Sequence, residues 1–268
     1  MSRIDSVFQN LKDRNEVALV AFLTAGDPDL ESTLKLATEI CSRGADILEI
    51  GIPFSDPLAE GVTIQKASER SLANGTTLED ILELTRKLCE CVETPIVLMG
   101  YANPFFSFGE EKFARFAGDV GVSGVIVPDL PPEEGKNFYN RCEASDIDPI
   151  LLVSPTTSPE RLKYLSAKTR GFLYYVSLTG VTGERAVLPS GLKNLVARAR
   201  SQSLYPVCVG FGISTAKQAS EVSAFADGVI VGSAFVDRVA RSGNVEEAVR
   251  SVGSFASELK KSLVQRTI

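Results

Sequence analysis

Two glutamates eleven residues apart are the residues of this chain best placed for acid–base chemistry. Glu49 lies within the apolar run 46–50, and Glu60 lies in the segment PFSDPLAEG at 53–61 that follows it. A carboxyl group in apolar surroundings has a raised pKa and can donate a proton near neutral pH. A second carboxylate at the same site could divide the acid and base roles with it. Glu49 could instead be structural, and Glu60 could be a solvated loop residue, with Asp56 as its competitor in the same segment.

Glycine-bearing segments after three later apolar runs are typical of a site for an oxyanion. They read GVTGER at 180–185, GFGIS at 210–214 and GSAF at 232–235. Glycine lets backbone N–H groups approach an anion closely, and a following helix N-terminus favours negative charge. Ser214 and Ser233 add hydroxyl donors. The pattern predicts a phosphate site, and the alternative is that these glycines form ordinary turns.

The composition excludes several kinds of chemistry. The 268 residues include no histidine, so histidine triads, histidine metal ligands and imidazole proton shuttles are excluded. A net charge of −6 argues against a basic nucleic-acid or membrane-surface binder. The five cysteines include one close pair, Cys89 and Cys91, but no second pair to complete a metal site, so we expect reduced thiols and no metal. The polar N-terminal segment and the lack of a run of about 18 apolar residues predict a cytoplasmic protein.

Eight short apolar runs alternate with helical patterns and determine where these residues lie. The runs are 17–23, 46–50, 96–100, 124–127, 149–153, 171–177, 206–210 and 227–232. They are rich in Val, Ile and Leu without strict alternation, as in parallel strands that are covered on both faces. Eight such strands in about 250 residues favour a closed (βα)8 TIM barrel, an α/β fold, over an open doubly wound sheet. The active site of such a barrel lies at the C-terminal ends of its strands, and side-chain alternation turns Glu49 towards the barrel interior.

Three further features complete the predicted architecture. Four apolar residues at helical spacing predict an extra N-terminal helix lying across one end of the barrel. They are Ile4, Val7, Phe8 and Leu11. The long stretch 51–95 predicts an insertion of two helices after the second strand, the second of them opened by a capping box of Thr77 and Asp80. No linker divides the chain, so residues 1–268 are predicted to form a single domain.

The segment YANPFFSFG at 101–109 follows the third strand and is rich in aromatic residues. Phe105, Phe106 and Phe108 beside a proline predict a loop, because all three cannot lie on the buried face of one helix. An exposed aromatic cluster at a loop tip indicates a surface for a partner. Alternatively, the three rings pack under the loop as a small satellite core.

Together these motifs resemble the tryptophan synthase α subunit, and the resemblance covers nearly the whole chain. It is carried by FLTAGDPD at 22–29, LEIGIPFSDPLAEG at 48–61, YANPFF at 101–106, VPDLPPEE at 127–134, SPTTSPERL at 154–162, GVTG at 180–183 and VGFGIS at 209–214. The resemblance implies a βα barrel that cleaves indole-3-glycerol phosphate to indole and glyceraldehyde 3-phosphate in tryptophan biosynthesis. It also implies an α2β2 complex with a β subunit whose pyridoxal phosphate (PLP) serves to join indole to serine, and no cofactor in this chain.

The resemblance implies roles for individual residues. Glu49 matches the family's catalytic glutamate, and Glu60 stands where the family has aspartate. Phe22 and Tyr174 match residues that line the indole site. The phosphate cradle is matched by Gly183, Gly212, Gly232 and Ser233. The region that meets the β subunit is matched by Asp56, Pro57 and the 101–108 loop, including Asn103, Pro104, Phe105 and Phe106.

Three residues depart from the family pattern. Glu60 has one methylene more than aspartate, Val62 replaces a usual proline, and Glu184 places a negative charge beside the phosphate cradle. These changes leave open a weakened lyase that mainly binds and activates the β subunit, and a different phosphate-binding barrel, such as a phosphosugar isomerase, is the remaining alternative. We expect Glu60→Asp to raise cleavage if the displaced carboxylate limits the reaction. A backbone shift that compensates for the extra methylene would instead make Glu60 a competent replacement.

Overall fold

The computed structural model describes residues 1–58, 60–176, 191–210 and 212–263, which form nine parallel strand segments and twelve helices. The strands are β1 (Ala18–Thr24), β2 (Ile47–Gly51), β3 (Ile96–Met99), β4 (Val122–Ile126), β5 (Asp148–Pro149), β6 (Leu152–Val153), β7 (Leu173–Val176), β8 (Val207–Gly210) and β9 (Gly228–Val231). The helices are α1 (Arg3–Asp13), α2 (Leu30–Ser42), α3 (Val62–Ala73), α4 (Leu78–Cys91), α5 (Ala102–Phe108), α6 (Glu110–Asp119), α7 (Lys136–Ala144), α8 (Pro159–Lys168), α9 (Leu192–Gln202), α10 (Ala216–Ser223), α11 (Ser233–Arg241) and α12 (Val245–Leu263).

The strands form a closed barrel. Their order is β5-β4-β3-β2-β1-β9-β8-β7-β6, so the two ends of the order are β5 and β6, which only Ile150 and Leu151 separate in the chain. The Ile150 N–H donates to the carbonyl of Val125 at 2.9 Å, and the Leu151 carbonyl accepts from the N–H of Tyr174 at 3.0 Å. The predicted TIM barrel is therefore confirmed, with its fifth strand divided into β5 and β6.

Side chains alternate along the strands between two apolar layers. On β1, Val20 and Phe22 pack in the barrel interior, whereas Leu19 and Leu23 pack between the sheet and the surrounding helices. In the strand register, Phe22 lies beside Glu49 of β2, so this carboxyl group belongs to the interior layer.

Helix α1 closes the N-terminal end of the barrel, as predicted. Ser2 and Asp5 form a capping box that starts the helix. Ile4, Phe8 and Leu11 are buried in the same apolar cluster as the barrel interior, and the ring of Phe8 lies 6.1 Å from that of Phe172. Because Phe172 directly precedes β7, α1 packs across the opening at which the strands begin.

The insertion between β2 and β3 consists of α3 and α4, as predicted. Thr77 caps α4, and its hydroxyl accepts from the Asp80 N–H while the Asp80 carboxylate accepts from the Thr77 N–H. No helix within the described ranges is long and apolar enough to span a membrane.

The prediction that residues 101–109 form a loop is wrong. Residues 102–108 form helix α5, in which Pro104 occupies the third position. Proline is tolerated in the first turn because the N–H group it lacks would have no acceptor within the helix. The ring of Phe105 is fully buried and packs 4.6 Å from the ring of Phe113, whereas Phe106 is 44% exposed. Phe105 therefore belongs to the core.

Candidate active site

Glu49 is a carboxyl group enclosed in the barrel interior. It lies on β2, is 1% exposed, and its Cα is in register with those of Phe22 on β1 and Val97 on β3. Its Oε2 atom has no hydrogen-bond partner among the described residues. Burial raises the pKa of Glu49 to about 8. Below that pH the group is protonated and can act as a proton donor.

Glu60 lies at the C-terminal mouth of the same barrel, directly before Gly61, the N-cap residue of α3. Its carboxylate accepts a hydrogen bond from the hydroxyl of Tyr101, and its backbone carbonyl accepts from Nε2 of Gln65 at 2.9 Å. It lines a small cavity. The other lining residues are Phe22, Thr24, Gly51, Ile52, Phe54, Pro57, Ile64, Ser68, Met99 and Tyr101.

Tyr174 lies near both glutamates. It is 4% exposed on β7, opposite Cys208 of β8. Burial, followed by the charges of Glu49, Cys208 and Glu60, raises the pKa of Tyr174 well above its usual range. The charges of Glu49 and Glu60 thus both act on the Tyr174 hydroxyl.

Phe22 forms a wall between the glutamates and the glycine segment at 232–235. It is 6% exposed, and a Cβ atom placed on Gly232 would lie 3.4 Å from its ring. Gly232 is the N-cap of α11 and has no side chain to cap the helix, so the backbone N–H groups of the first turn face outward near Ser233. This arrangement suits a phosphate group.

The two glycines of the segment 210–214 are each suited to their position for a different structural reason. Gly212 has a φ angle of +84°, which glycine adopts readily. A Cβ atom on Gly210 would lie 2.6 Å from the hydroxyl of Tyr174, so glycine there makes room for the tyrosine. The N–H and hydroxyl groups of Ser214 donate to Oε1 of Gln218, at 2.9 and 3.3 Å. Gly183, Glu184 and the rest of 177–190 lie outside the described residues.

The segments predicted to meet a partner lie on one side of the mouth. The N–H of Leu58 donates to the Tyr101 hydroxyl at 2.9 Å, which joins the segment at 56–58 to the start of α5. Asp56, Asn103 and Phe106 are exposed. Pro57 and Pro104 are partly buried. Leu58 is 78% exposed, although the sequence reasoning did not single it out.

Tyr101 and Thr24 are two of the site residues to which the sequence reasoning gave no role. Tyr101 directly follows Gly100 at the end of the third strand, which was the available signal. Thr24 ends β1, and its buried Oγ1 has no hydrogen-bond partner among the described residues. Both line the cavity beside Glu60.

No group of three or more Cys, Asp or Glu side chains in the described part of the chain is arranged to hold a metal ion. Cys89 is partly buried and Cys91 exposed, and both are free thiols.

A closed βα barrel with a buried carboxyl group in its interior and a second one at its C-terminal mouth is typical of a TIM-barrel enzyme. The chain belongs to the tryptophan synthase alpha chain family, whose model matches residues 8–264. The reaction of this family is the cleavage of indole-3-glycerol phosphate, and the chain is thereby placed among the lyases of tryptophan biosynthesis.

Similar proteins agree with this assignment over nearly their full length. The tryptophan synthase alpha chain of Citrifermentans bemidjiense is 47% identical over 265 residues, which are 99% of each chain. That of Prochlorococcus marinus is 45% identical over 99% of this chain and 95% of its own. Tryptophan synthase subunit alpha from Legionella pneumophila superposes with a TM-score of 0.91 at 39% identity, covering 98% of both chains. A chain of Mycobacterium tuberculosis tryptophan synthase has a TM-score of 0.91 at 34% identity, covering 98% of this chain and 99% of its own.

Proposed function

We propose that this chain cleaves indole-3-glycerol phosphate to indole and glyceraldehyde 3-phosphate, with Glu49 as the proton donor and Glu60 as the second carboxylate. The observation that carries the proposal is the Glu49 carboxyl group, which is 1% exposed and has a pKa raised by burial to about 8. A group of this kind is still protonated at neutral pH, when an ordinary glutamate is ionised.

The reaction needs two proton transfers, and one carboxyl group can perform both. Glu49 gives its proton to C3 of the indole ring, which removes the aromaticity of the five-membered ring and leaves positive charge at the indole nitrogen. The carboxylate of Glu60 stabilises that charge through the indole N–H. The ionised Glu49 then accepts the proton of the adjacent glycerol hydroxyl. The carbon–carbon bond breaks, its electron pair restores the aromatic ring, and the hydroxyl carbon becomes the aldehyde.

The remaining site residues hold the substrate in this proposal. Phe22 and Tyr174, both nearly fully buried, form the walls for the indole ring. The phosphate is held by Gly212, Gly232 and Ser233, together with Gly183, which lies outside the described residues.

We propose an active lyase in preference to a chain that mainly activates its partner. Of the three departures that pointed to weakened catalysis, Glu60 keeps its carboxylate at the cavity and in contact with Tyr101. Val62 is the first residue of α3, a position at which proline is favoured but not required. Glu184 lies outside the described residues.

A direct assay tests this proposal. Purified chain is incubated with indole-3-glycerol phosphate, alone and with its cognate β subunit, and indole and glyceraldehyde 3-phosphate are quantified. We expect equal amounts of the two products and faster release with the β subunit. Activation of the β reaction from added indole and serine without cleavage would support the partner-activating alternative. A different product would identify another phosphate-binding barrel.

We further propose that residues 1–268 act as a single domain in an α2β2 complex, with PLP held by the β subunit. The exposed residues beside the mouth, Asp56, Leu58, Asn103 and Phe106, support a contact there. Phe105 is fully buried and so does not take part in the proposed contact. A cytoplasmic location stays a prediction.

A further inference from the structure

We infer that Tyr101 is the positioning residue for Glu60, and that its hydroxyl is what makes the longer glutamate side chain work at this position. The inference rests on the proposed lyase function, because it concerns how one of the two carboxylates of that site is oriented.

The Tyr101 hydroxyl makes two hydrogen bonds to the segment that carries Glu60. It accepts one from the N–H of Leu58 at 2.9 Å and donates one to Oε2 of Glu60. A hydroxyl that accepts and donates at the same time becomes a better donor, since the two bonds polarise each other. One phenol therefore fixes both the backbone two residues before Glu60 and the carboxylate itself.

Tyr101 is itself held rigidly, so it can act as a fixed reference for the glutamate. Its ring is 3% exposed and stacks on Phe54, with centroids 5.1 Å apart and planes inclined by 28°. The backbone is fixed on both sides of it. The Gly100 N–H donates to the carbonyl of Ile126 at 3.0 Å, and the Ala102 N–H donates to Oδ1 of Asp129 at 2.9 Å.

The extra methylene of Glu60 makes such an anchor necessary. A glutamate has one more rotatable bond than an aspartate, and an unanchored carboxylate occupies several positions, of which few suit catalysis. A displacement of about 1 Å at an active site can cost about 100-fold in rate. With Tyr101 as anchor, Glu60 has a defined position that depends on its full length. Glu60→Asp is then expected to lower kcat, the opposite of the result expected if Glu60 were a displaced aspartate.

A double-mutant cycle on the full chain with its β subunit tests this inference. Tyr101→Phe keeps the ring on Phe54 and removes only the hydroxyl, so we expect kcat for cleavage to fall at least tenfold while KM changes less than threefold. In a Glu60→Gln background, which has no carboxylate to orient, the same change should lower kcat less than threefold. An equal loss of kcat in both backgrounds, or no loss in the first, would overturn the inference.

Tyr139→Phe is the matched control, because Tyr139 is also a buried tyrosine, 5% exposed, whose hydroxyl donates one hydrogen bond, to the carbonyl of Leu130 at 2.7 Å. It should lower thermal stability about as much as Tyr101→Phe and leave kcat unchanged. A merely structural role for Tyr101 predicts that both variants affect kcat equally.

A second measurement does not depend on activity and so separates this inference from the proposed function. The carboxyl carbon resonance of Glu60 is identified in 13C-glutamate-labelled protein by its loss in Glu60→Gln. It should shift in Tyr101→Phe and stay in place in Tyr139→Phe. If the resonance does not shift in Tyr101→Phe, the positioning role is overturned. If it shifts but the chain releases no indole, the contact between Tyr101 and Glu60 is supported and the lyase function is rejected.

Discussion

Glu49 and Asp148 show that a raised pKa alone does not identify the proton donor. Burial raises the pKa of Asp148 to about 6 and that of Glu49 to about 8. Asp148 begins the divided fifth strand, at the N-terminal end of the barrel, and borders a polar cavity there with Arg170. Glu49 lies in the barrel interior, where its charge and that of Glu60 both act on Tyr174. Position relative to the C-terminal mouth distinguishes the two carboxyl groups.

Glu49→Gln keeps the shape of the side chain and removes the transferable proton. We expect cleavage to fall at least about 100-fold with the fold intact, as is usual when a general acid is lost. If Glu49 is the proton donor, kcat/KM of the unaltered chain should fall as the pH rises through about 8, the value to which burial raises the pKa of this group.

Asp148→Asn is the control, since it removes a raised-pKa carboxyl group from the other end of the barrel. It should leave both the rate and the pH limb unchanged. If Glu49→Gln kept more than about a tenth of the activity, a loss below about 1.4 kcal/mol, Glu49 would not be the proton donor.

The phosphate cradle is tested by an isosteric pair at Gly232. A Cβ atom there meets only ordinary contact with Phe22, at 3.4 Å, and both variants share the same backbone angles. Gly232→Asp should weaken binding of glycerol phosphate, measured by calorimetry, at least about tenfold more than Gly232→Asn. The reason is that only the aspartate brings a negative charge to the helix N-terminus. Equal affinities for the two variants would place the anion elsewhere.

Single residues of the site differ in how well the sequence predicted them. Glu49 could be placed because alternation on a strand is local and has only two outcomes. The role of Tyr101 could not, because its hydroxyl meets a segment more than forty residues earlier, and no local pattern reports such a contact. The contact of the Leu58 N–H with the same hydroxyl was not predicted either, because it also joins residues more than forty positions apart.

At the scale of elements, two predictions failed in detail. The 101–109 segment was predicted as a loop because three aromatic residues beside Pro104 cannot share the buried face of one helix, but in α5 only Phe105 of the three is fully buried and the proline lies in the first turn. The predicted strand 149–153 begins with Pro149, which has no N–H to donate to a neighbouring strand. The structure divides that strand into β5 and β6 after Pro149, and between them the Leu151 N–H donates to the hydroxyl oxygen of Thr169 at 3.1 Å. Longer elements with clear periodicity, such as α4 with its capping box, were predicted correctly.

Helix α1 contributes to stability by closing the barrel floor, and Ile4→Ala tests this contribution. Ile4 is fully buried in the interior cluster, so the substitution leaves a cavity and should lower the free energy of unfolding by about 2–5 kcal/mol. Asn10→Ala, on the exposed face of the same helix, should change it by less than about 0.5 kcal/mol. Urea unfolding of both variants checks this. No loss in Ile4→Ala would mean that the burial of α1 against the barrel does not stabilise the chain, since alanine itself favours the helix.

At the scale of the whole molecule, the two ends of the barrel carry different surfaces. The mouth carries the cavity beside Glu60 and the exposed apolar side chains of Leu58, Val62 and Phe106. The floor is closed by α1 and carries one strongly exposed leucine, Leu204, next to a groove bordered by Phe8. Chemistry and the proposed contact with the β subunit thus share one end.

Leu58→Ser and Leu204→Ser form a matched pair for that contact. The two leucines are 78% and 89% exposed, so neither substitution disturbs the core. Leu58→Ser should weaken binding of the β subunit at least about tenfold, because an apolar anchor at the mouth is lost. Leu204→Ser should leave binding unchanged, as measured by titration calorimetry. The reverse result would move the contact to the floor of the barrel.

The divided fifth strand, residues 148–153, is the least firmly paired strand of the closed barrel. β5 and β6 each pair with their neighbour over only two residues. β8 and β9 also pair with each other over two residues, but β8 pairs with β7 over four and β9 pairs with β1 over four. The fifth strand is thus held by short pairings on both of its sides, so we expect residues 148–153 to open first and their amide protons to exchange with solvent before those of β1. β1 lies midway along the strand order, directly across the barrel from the divided fifth strand. We therefore expect the pairing of β1 with β2, which holds Glu49 beside Phe22, to stay formed while the fifth strand opens.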